Sequence, residues 1–178
     1  NESHDEYIGD SDYTRTIDSW HMNKIWGLVG SRNQNAGLYL ARPDNTGQRI
    51  GVASLTSWTS WEVQAINQFK NRFAGQSEYL SSWGSFAYNV RGNSGAAIVN
   101  TGQGNSSAWV SVPSNGMANG TYKDQISGNT FTVDNGWLYG QMDGAGMAVV
   151  YNKGPEASVH PTTTAYRSNT YTLTLHTS

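Results

Sequence analysis

Apolar residues recur at helical spacing twice in the first half of the chain, and then the period changes. Met22, Ile25, Trp26 and Val29 stand at i, i+3, i+4 and i+7, which predicts one apolar helical face. Asp18 precedes that run as a candidate N-cap, and Gly30 follows it as a stop. Ala36-Gly37-Leu38-Tyr39-Leu40-Ala41 is a short apolar run closed by Arg42-Pro43 and reads as a buried strand. A polar, glycine-containing loop runs from Asp44 to Ser57. Thr59-Ser60-Trp61-Glu62 has the form of a capping box, with the Thr hydroxyl taking a free amide and the Glu reaching back. Val63, Ile66, Phe69 and Phe73 supply the apolar stripe of the helix behind it, and Gly75 is its expected C-cap.

From Ser85 to Asn152 no helical period survives. Short β-type runs alternate with turn signals: residues 86–90, 96–100, 108–112, 130–133, 137–139 and 147–151. Ser127-Gly128-Asn129 and Asp134-Asn135-Gly136 are hairpin sequences, because glycine and asparagine accept positive φ. Strands this closely spaced predict an antiparallel sandwich. Beyond Lys153 the chain reads as a linker through Gly154-Pro155 and Pro161-Thr162, followed by one alternating run, Tyr171 to Leu175, as the start of a further Ig-like or carbohydrate-binding module. The expected organisation is therefore 1–81, mixed α/β; 82–152, β-sandwich; and 153–178, linker and module start.

Composition narrows the function. Charged residues make up 13% of the 178-residue chain and the net charge is −2, which gives no footprint for nucleic acid or an anionic membrane. No apolar run is long enough to span a bilayer. Cysteine is absent, so disulfide and thiolate metal chemistry are excluded. The 7 Trp and 10 Tyr on a Gly-, Ser-, Asn- and Thr-rich background suit an extracellular β-rich protein that handles sugars.

Glu2-Ser3-His4-Asp5, with Tyr7, resembles the fourth signature segment of the α-amylase family, glycoside hydrolase family 13, at the end of the seventh strand of a (β/α)8 barrel. Several later segments resemble secreted bacterial members in the same order. Ser31-Arg32 and Leu38 to Pro43 are similar to the end of the seventh helix and the eighth strand. Ala65 to Phe69 and Ala74 to Gln76 are similar to the eighth helix and the barrel exit. Tyr88 to Gly92, Gly120 to Asp124 and Ala148 to Tyr151 are similar to strands of the C-terminal sandwich, domain C. The implied fold is α/β plus all-β: the last strands and helices of a (β/α)8 TIM barrel, then an antiparallel Greek-key β-sandwich.

The resemblance implies an α-amylase-type hydrolase that cleaves internal α-1,4-glucosidic bonds of starch with retention, secreted to the outside of a bacterium. Retaining hydrolysis needs a carboxylate nucleophile and a carboxylic acid/base around an oxocarbenium-like transition state. The family segments carrying those two groups have no counterpart in this sequence, so the chain alone is expected to be inactive and to partner the missing N-terminal part of the barrel. Asp5 is implied as a third carboxylate, a transition-state stabiliser accepting hydrogen bonds from sugar hydroxyls. His4 is implied as a substrate-binding donor. Starch or a malto-oligosaccharide is the implied ligand. Calcium is implied for the whole enzyme, with its ligands outside this chain. A related family 13 transglycosylase, or a non-catalytic carbohydrate-binding β-domain, are the alternatives.

The remaining candidate residues read as structural. By the same resemblance, Glu2 is expected at the strand end below the site, in a structural role. His21, His160 and His176 have no metal spacing. Asp10, Asp12 and Asp18 form a solvated acidic loop without the regular ligands of a calcium loop. Trp58 and Trp61 could stack on sugars, but Trp61, in the first turn of an amphipathic helix, reads as a packing residue, and Trp83, Trp109 and Trp137 read as core or inter-domain packing.

Overall fold

A computed structural model describes residues 17–39 and 56–153. Among these the chain forms α1 (Ser19–Gly30), a short 3-10 turn (Ser57–Thr59), α2 (Trp61–Arg72) and eight strands: β1 (Glu78–Trp83), β2 (Phe86–Arg91), β3 (Gly95–Asn100), β4 (Ser107–Ser111), β5 (Gly120–Lys123), β6 (Thr130–Asp134), β7 (Trp137–Gln141) and β8 (Met147–Tyr151). The strands make two antiparallel four-stranded sheets, ordered β1-β2-β3-β8 and β4-β7-β6-β5. The β5-β6-β7 meander with β4 returning beside β7 is a Greek key. The helices cover the outer face of the first sheet, giving three layers.

Period-2 alternation decides which side chain goes where. In the first sheet Tyr88, Val90, Ala96, Ile98, Ala148 and Val150 face the second sheet and meet Val110, Phe131, Val133 and Leu138 in one core. The intervening residues Ala97, Val99, Met147, Val149 and Tyr151 face the helices and meet Ile66, Phe69 and Phe73 in a second. β3 and β8 are thus buried on both faces. That explains their continuous small-apolar sequences, GAAIVN and MAVVY, which show no alternation.

Six strands coincide with the sequence runs, and the Gly120–Lys123 strand with the segment identified by resemblance. β1 carries weak apolar signal and lies across residues 81 and 82. The Asp134-Asn135-Gly136 turn forms as expected: Asn135 and Gly136 have φ of 48° and 83°, and Asp134 pairs with Trp137.

The helices required more correction. α1 starts where expected, with the Asp18 carboxylate accepting from His21 N at 2.8 Å. Its buried face is different. Met22, Asn23, Lys24, Gly27 and Gly30 are buried, whereas Ile25 and Val29 of the expected stripe are 44% and 39% exposed. The reason is close approach. A Cβ on Gly27 would sit 2.7 Å from Met147 Cε and 2.8 Å from Val99 Cγ2, so the glycine side of α1 lies against the sheet. The N-cap of α2 is Ser60 and not Thr59: Ser60 Oγ accepts from Val63 N, while Thr59 sits in the 3-10 turn and donates to Thr56 O. The stripe Val63, Ile66, Phe69 and Phe73 is buried as expected, at no more than 1% exposure. The helix closes at Phe73, and the chain turns left-handed at Gly75, φ +75°. Residues 36–39 form no strand, and Leu38 is 98% exposed. An extended segment without a hydrogen-bonded neighbour is not a strand; residues 40 and 41 lie outside the described residues.

Candidate functional site

Asp5 and His4, the residues singled out for catalysis and substrate binding, lie outside the described residues, as do Glu2, Asp10 and Asp12. The described part is the helix layer with the sandwich beneath it. Its centre is a junction where the C-terminal ends of both helices meet β2. Arg91, on the helix-facing side of β2, is fully buried. Its Nη1 donates to Ser31 O at 2.9 Å, and its Nη2 to Phe73 O at 2.5 Å and Asn33 Oδ1 at 2.9 Å. Ser31 and Phe73 are the cap residues of α1 and α2. One guanidinium therefore serves carbonyls at both helix ends, where helix dipoles place partial negative charge. Burial pulls the Arg91 pKa below its ordinary value, and the nearby Glu78 charge opposes that.

Glu78 on β1 completes the junction. Its Oε1 accepts from Arg32 Nε at 3.0 Å, Asn33 N at 3.1 Å and Asn89 Nδ2 at 2.9 Å. Beside it Arg32, Asn33, Gln34, Asn35 and Glu78 line an open polar pocket of about 300 Å3. The N-terminal ends of the helices are linked by a second relay. Tyr39 OH donates to Asn23 Oδ1 at 2.7 Å, and Asn23 Nδ2 donates to Ser60 Oγ at 3.2 Å. Lys24 is buried between the Trp20 ring, 3.4 Å from its centroid, and Gly102 O, 2.7 Å from Nζ. Burial lowers its pKa. A cleft of about 370 Å3 opens beside it, lined by Ile17, His21, Lys24, Ile25, Leu28, Val99 and Thr101.

Asp124 is the most enclosed carboxylate among the described residues, and its work is structural. It stands where β5 meets β8, through the Asp124–Val150 bridge. Its carboxylate accepts from Val149 N at 2.7 Å, Ile126 N and Ser127 N at 3.1 Å, and Ser127 Oγ at 2.5 Å. Burial raises its pKa, and these donors pull the other way. No group of three or more His, Cys, Asp or Glu among the described residues could hold a metal ion.

Tryptophans stand where packing residues were expected, yet many are exposed. Trp58 and Trp61 on the helix layer are 57% and 73% exposed. Trp83 and Trp109 are 58% and 50% exposed. None of these four lies in either core of the described residues, so the core half of the expectation for Trp83 and Trp109 does not hold. In β4 the inward residues are Ala108 and Val110, so Trp109 between them points to the outer face. The Arg91 junction was also missed in the sequence, since an isolated Arg in a β-run carries no signal of burial.

Comparison with known proteins gives these elements a context. No family model matches the chain. An α-amylase of Clostridium acetobutylicum is 32% identical to it over 155 residues, 85% of this chain and 19% of that protein. An α-amylase of Butyrivibrio fibrisolvens is 30% identical over 168 residues, 85% of this chain and 17% of that protein. The chain thus spans less than a fifth of the length of these relatives. Among solved structures, α-amylase I of Eisenia fetida, in complex with maltohexaose, covers 78% of this chain and 37% of its own, with a TM-score of 0.51 at 14% identity. That likeness concerns the fold. The sequence likeness, at 85% coverage, makes the chain a relative of α-amylases, matched to a part of them.

Proposed function

We propose that this chain is the end of the catalytic barrel and the adjoining sandwich of an α-amylase-type glycoside hydrolase that cleaves internal α-1,4-glucosidic bonds of starch and malto-oligosaccharides with retention. The observation that carries the reading is the likeness to α-amylases across 85% of the chain. The helix layer supports it. Ile25, Val29, Leu38 and Trp61 are exposed on that layer, and neighbouring barrel elements would cover them.

In this reading Asp5 accepts hydrogen bonds from hydroxyls of the distorted sugar and lowers the energy of the positive charge that develops at its ring. His4 donates to a hydroxyl of the same sugar. The nucleophile and the acid/base come from other parts of the barrel, so the 178-residue chain does not hydrolyse starch by itself. Calcium, which the resemblance attaches to the whole enzyme, does not fit the described residues. The enclosed carboxylates Glu78 and Asp124 are already taken by N–H and O–H donors. No step here runs through it. The working place of such an enzyme is outside the cell, where polymeric starch is found.

The test is made in the full-length enzyme. Asp5→Asn should lower kcat on amylose by about 10²-fold or more, the scale of losing one transition-state electrostatic contact. His4→Ala should cost less, because it removes one weaker hydrogen bond. Full activity in Asp5→Asn with an unchanged fold would reject the assignment.

A further inference from the structure

We propose that Trp20 and Lys24 are positioning residues for the catalysis inferred above: they seat the first turns of α1 in a socket built from two turns of the sandwich, and so fix the end of the segment that brings in Asp5. The two side chains stand at i and i+4, neighbours on one face of α1. Trp20 Nε1 donates to Gly144 O, 3.1 Å away, in the β7–β8 turn. Lys24 Nζ donates to Gly102 O, 2.7 Å away, in the β3–β4 turn, and lies 3.4 Å from the centroid of the Trp20 ring. Each anchor reaches a different turn, and the ammonium on the indole face joins the two anchors.

The two turns hold each other. Asn105 N donates to Asp143 O at 2.7 Å, and Met142 N to Ser106 O at 3.0 Å. Asn100 is buried and braces the β3–β4 turn from within. Its Nδ2 donates to Gln103 O at 2.5 Å and Ser106 Oγ at 2.6 Å, and its Oδ1 accepts from Gly102 N at 2.9 Å. The Gly102 carbonyl that receives Lys24 therefore belongs to a braced turn. Gly146 makes the room: its φ is +65°, and a Cβ there would lie 2.8 Å from Lys24 Cε. Packing alone does not explain the ammonium. Lys24 is 5% exposed, and an apolar side chain of similar length would fill the space without burying a charge. The charge adds direction, because a charged donor aimed at one carbonyl and one ring fixes the helix where an apolar contact tolerates sliding. That position matters upstream. Asp18 caps α1, and the sequence that holds His4 and Asp5 leads into that cap. A displacement of about 1 Å in a group acting on the transition state costs on the order of 10²-fold in rate. This role rests on Asp5 acting as proposed above.

Amylose hydrolysis by the full-length enzyme tests the role through a double-mutant cycle. Lys24→Met keeps the stem and loses the donor and the charge. It should lower kcat by about tenfold or more and leave KM within about twofold. Trp20→Phe keeps a ring and loses the Nε1 donor, and should act in the same direction by less. In an Asp5→Asn background, Lys24→Met should cost less than about twofold further, because a residue that acts through Asp5 then has nothing left to position. A purely structural residue would instead cost the same factor in both backgrounds. Each kcat is taken at a temperature where circular dichroism shows the variant fully folded. Where Lys24→Met does not fold, Trp20→Phe carries the same cycle. Unchanged kcat in the folded variants, or equal losses with and without Asp5, would overturn the positioning role and leave the catalytic reading standing. Full activity in Asp5→Asn alone would reject the catalytic reading, and this role with it.

Discussion

Removing the Arg91 guanidinium should detach the helix layer from the sandwich. The side chain is fully buried and sends three short hydrogen bonds, 2.5 to 2.9 Å, to the ends of α1 and α2 and to Asn33. A hydrogen bond involving a charged group contributes about 1.5–3 kcal/mol, but burying the cation costs part of that sum. The guanidinium also leaves its Nε without a protein partner. In Arg91→Ala the carbonyl of Phe73 loses its charged donor, and Ser31 O keeps only Asn89 Nδ2, 3.0 Å away. Truncation of a buried charged group of this kind costs about 3–5 kcal/mol. For a chain of this size that is a fall in Tm of roughly 6–20 °C. With a urea m-value near 2 kcal/mol/M, the midpoint falls by about 2 M. Arg91→Lys is the sharper test. An ammonium is a single point of charge and cannot reach both helix ends as the planar fork does. It should lose more than about 1 kcal/mol, as one forfeited buried hydrogen bond does. Urea unfolding followed by tryptophan fluorescence reads both. Arg91→Lys as stable as the unsubstituted chain would show that the fork geometry is not what holds the layers.

Two further substitutions test the local reasoning. Asp18→Ala removes the N-cap of α1 and should cost about 1 kcal/mol at neutral pH. The hydrogen bond from His21 N lowers the Asp18 pKa below 3.8 in the folded chain, so its contribution is present above that value and lost as pH falls through the lowered folded pKa. The two urea midpoints should therefore converge in acid, and a difference that widens there would contradict the cap. Asp124→Ala leaves the N–H groups of Ile126, Ser127 and Val149 without their carboxylate acceptor, at about 1–3 kcal/mol each. Amide exchange of Val149 and Val150 should accelerate most; uniform protection would show that the β5–β8 corner closes without Asp124.

The sandwich was legible because its strands obey simple rules. Short β-type runs, alternating or continuously apolar, separated by turn residues match six strands, and the Asn135-Gly136 turn took the backbone that its residues favour. β1 was not legible, since Glu78-Tyr79-Leu80-Ser81-Ser82-Trp83 shows no strict alternation and pairs only along the edge of its sheet. The apolar face of α1 was misassigned for a specific reason. Hydrophobic periodicity counts large side chains, whereas this helix approaches the sheet through Gly27, which has none. The cap of α2 moved one residue because Ser60 and Thr59 are both competent caps, and only the 3-10 turn before the helix decides between them.

The candidate catalytic residues and the outward aromatic row of the second sheet differ in how they are written into the chain. Asp5 and His4 are legible only as members of a signature, because nothing in their own neighbourhood distinguishes a catalytic carboxylate from a capping one. The outward aromatic row is legible by parity. Ala108 and Val110 are small and apolar and must face the core, which turns Trp109 outward; Leu138 does the same for Trp137 and Tyr139. Once both strands are assigned parity, the outward rings need only register to meet, and pairing Trp109 with Tyr139 supplies it. A tryptophan whose two strand neighbours are both committed to the core is committed to the surface. An exposed tryptophan stacked on a tyrosine keeps a large apolar area in water, and core packing gives no reason for that choice.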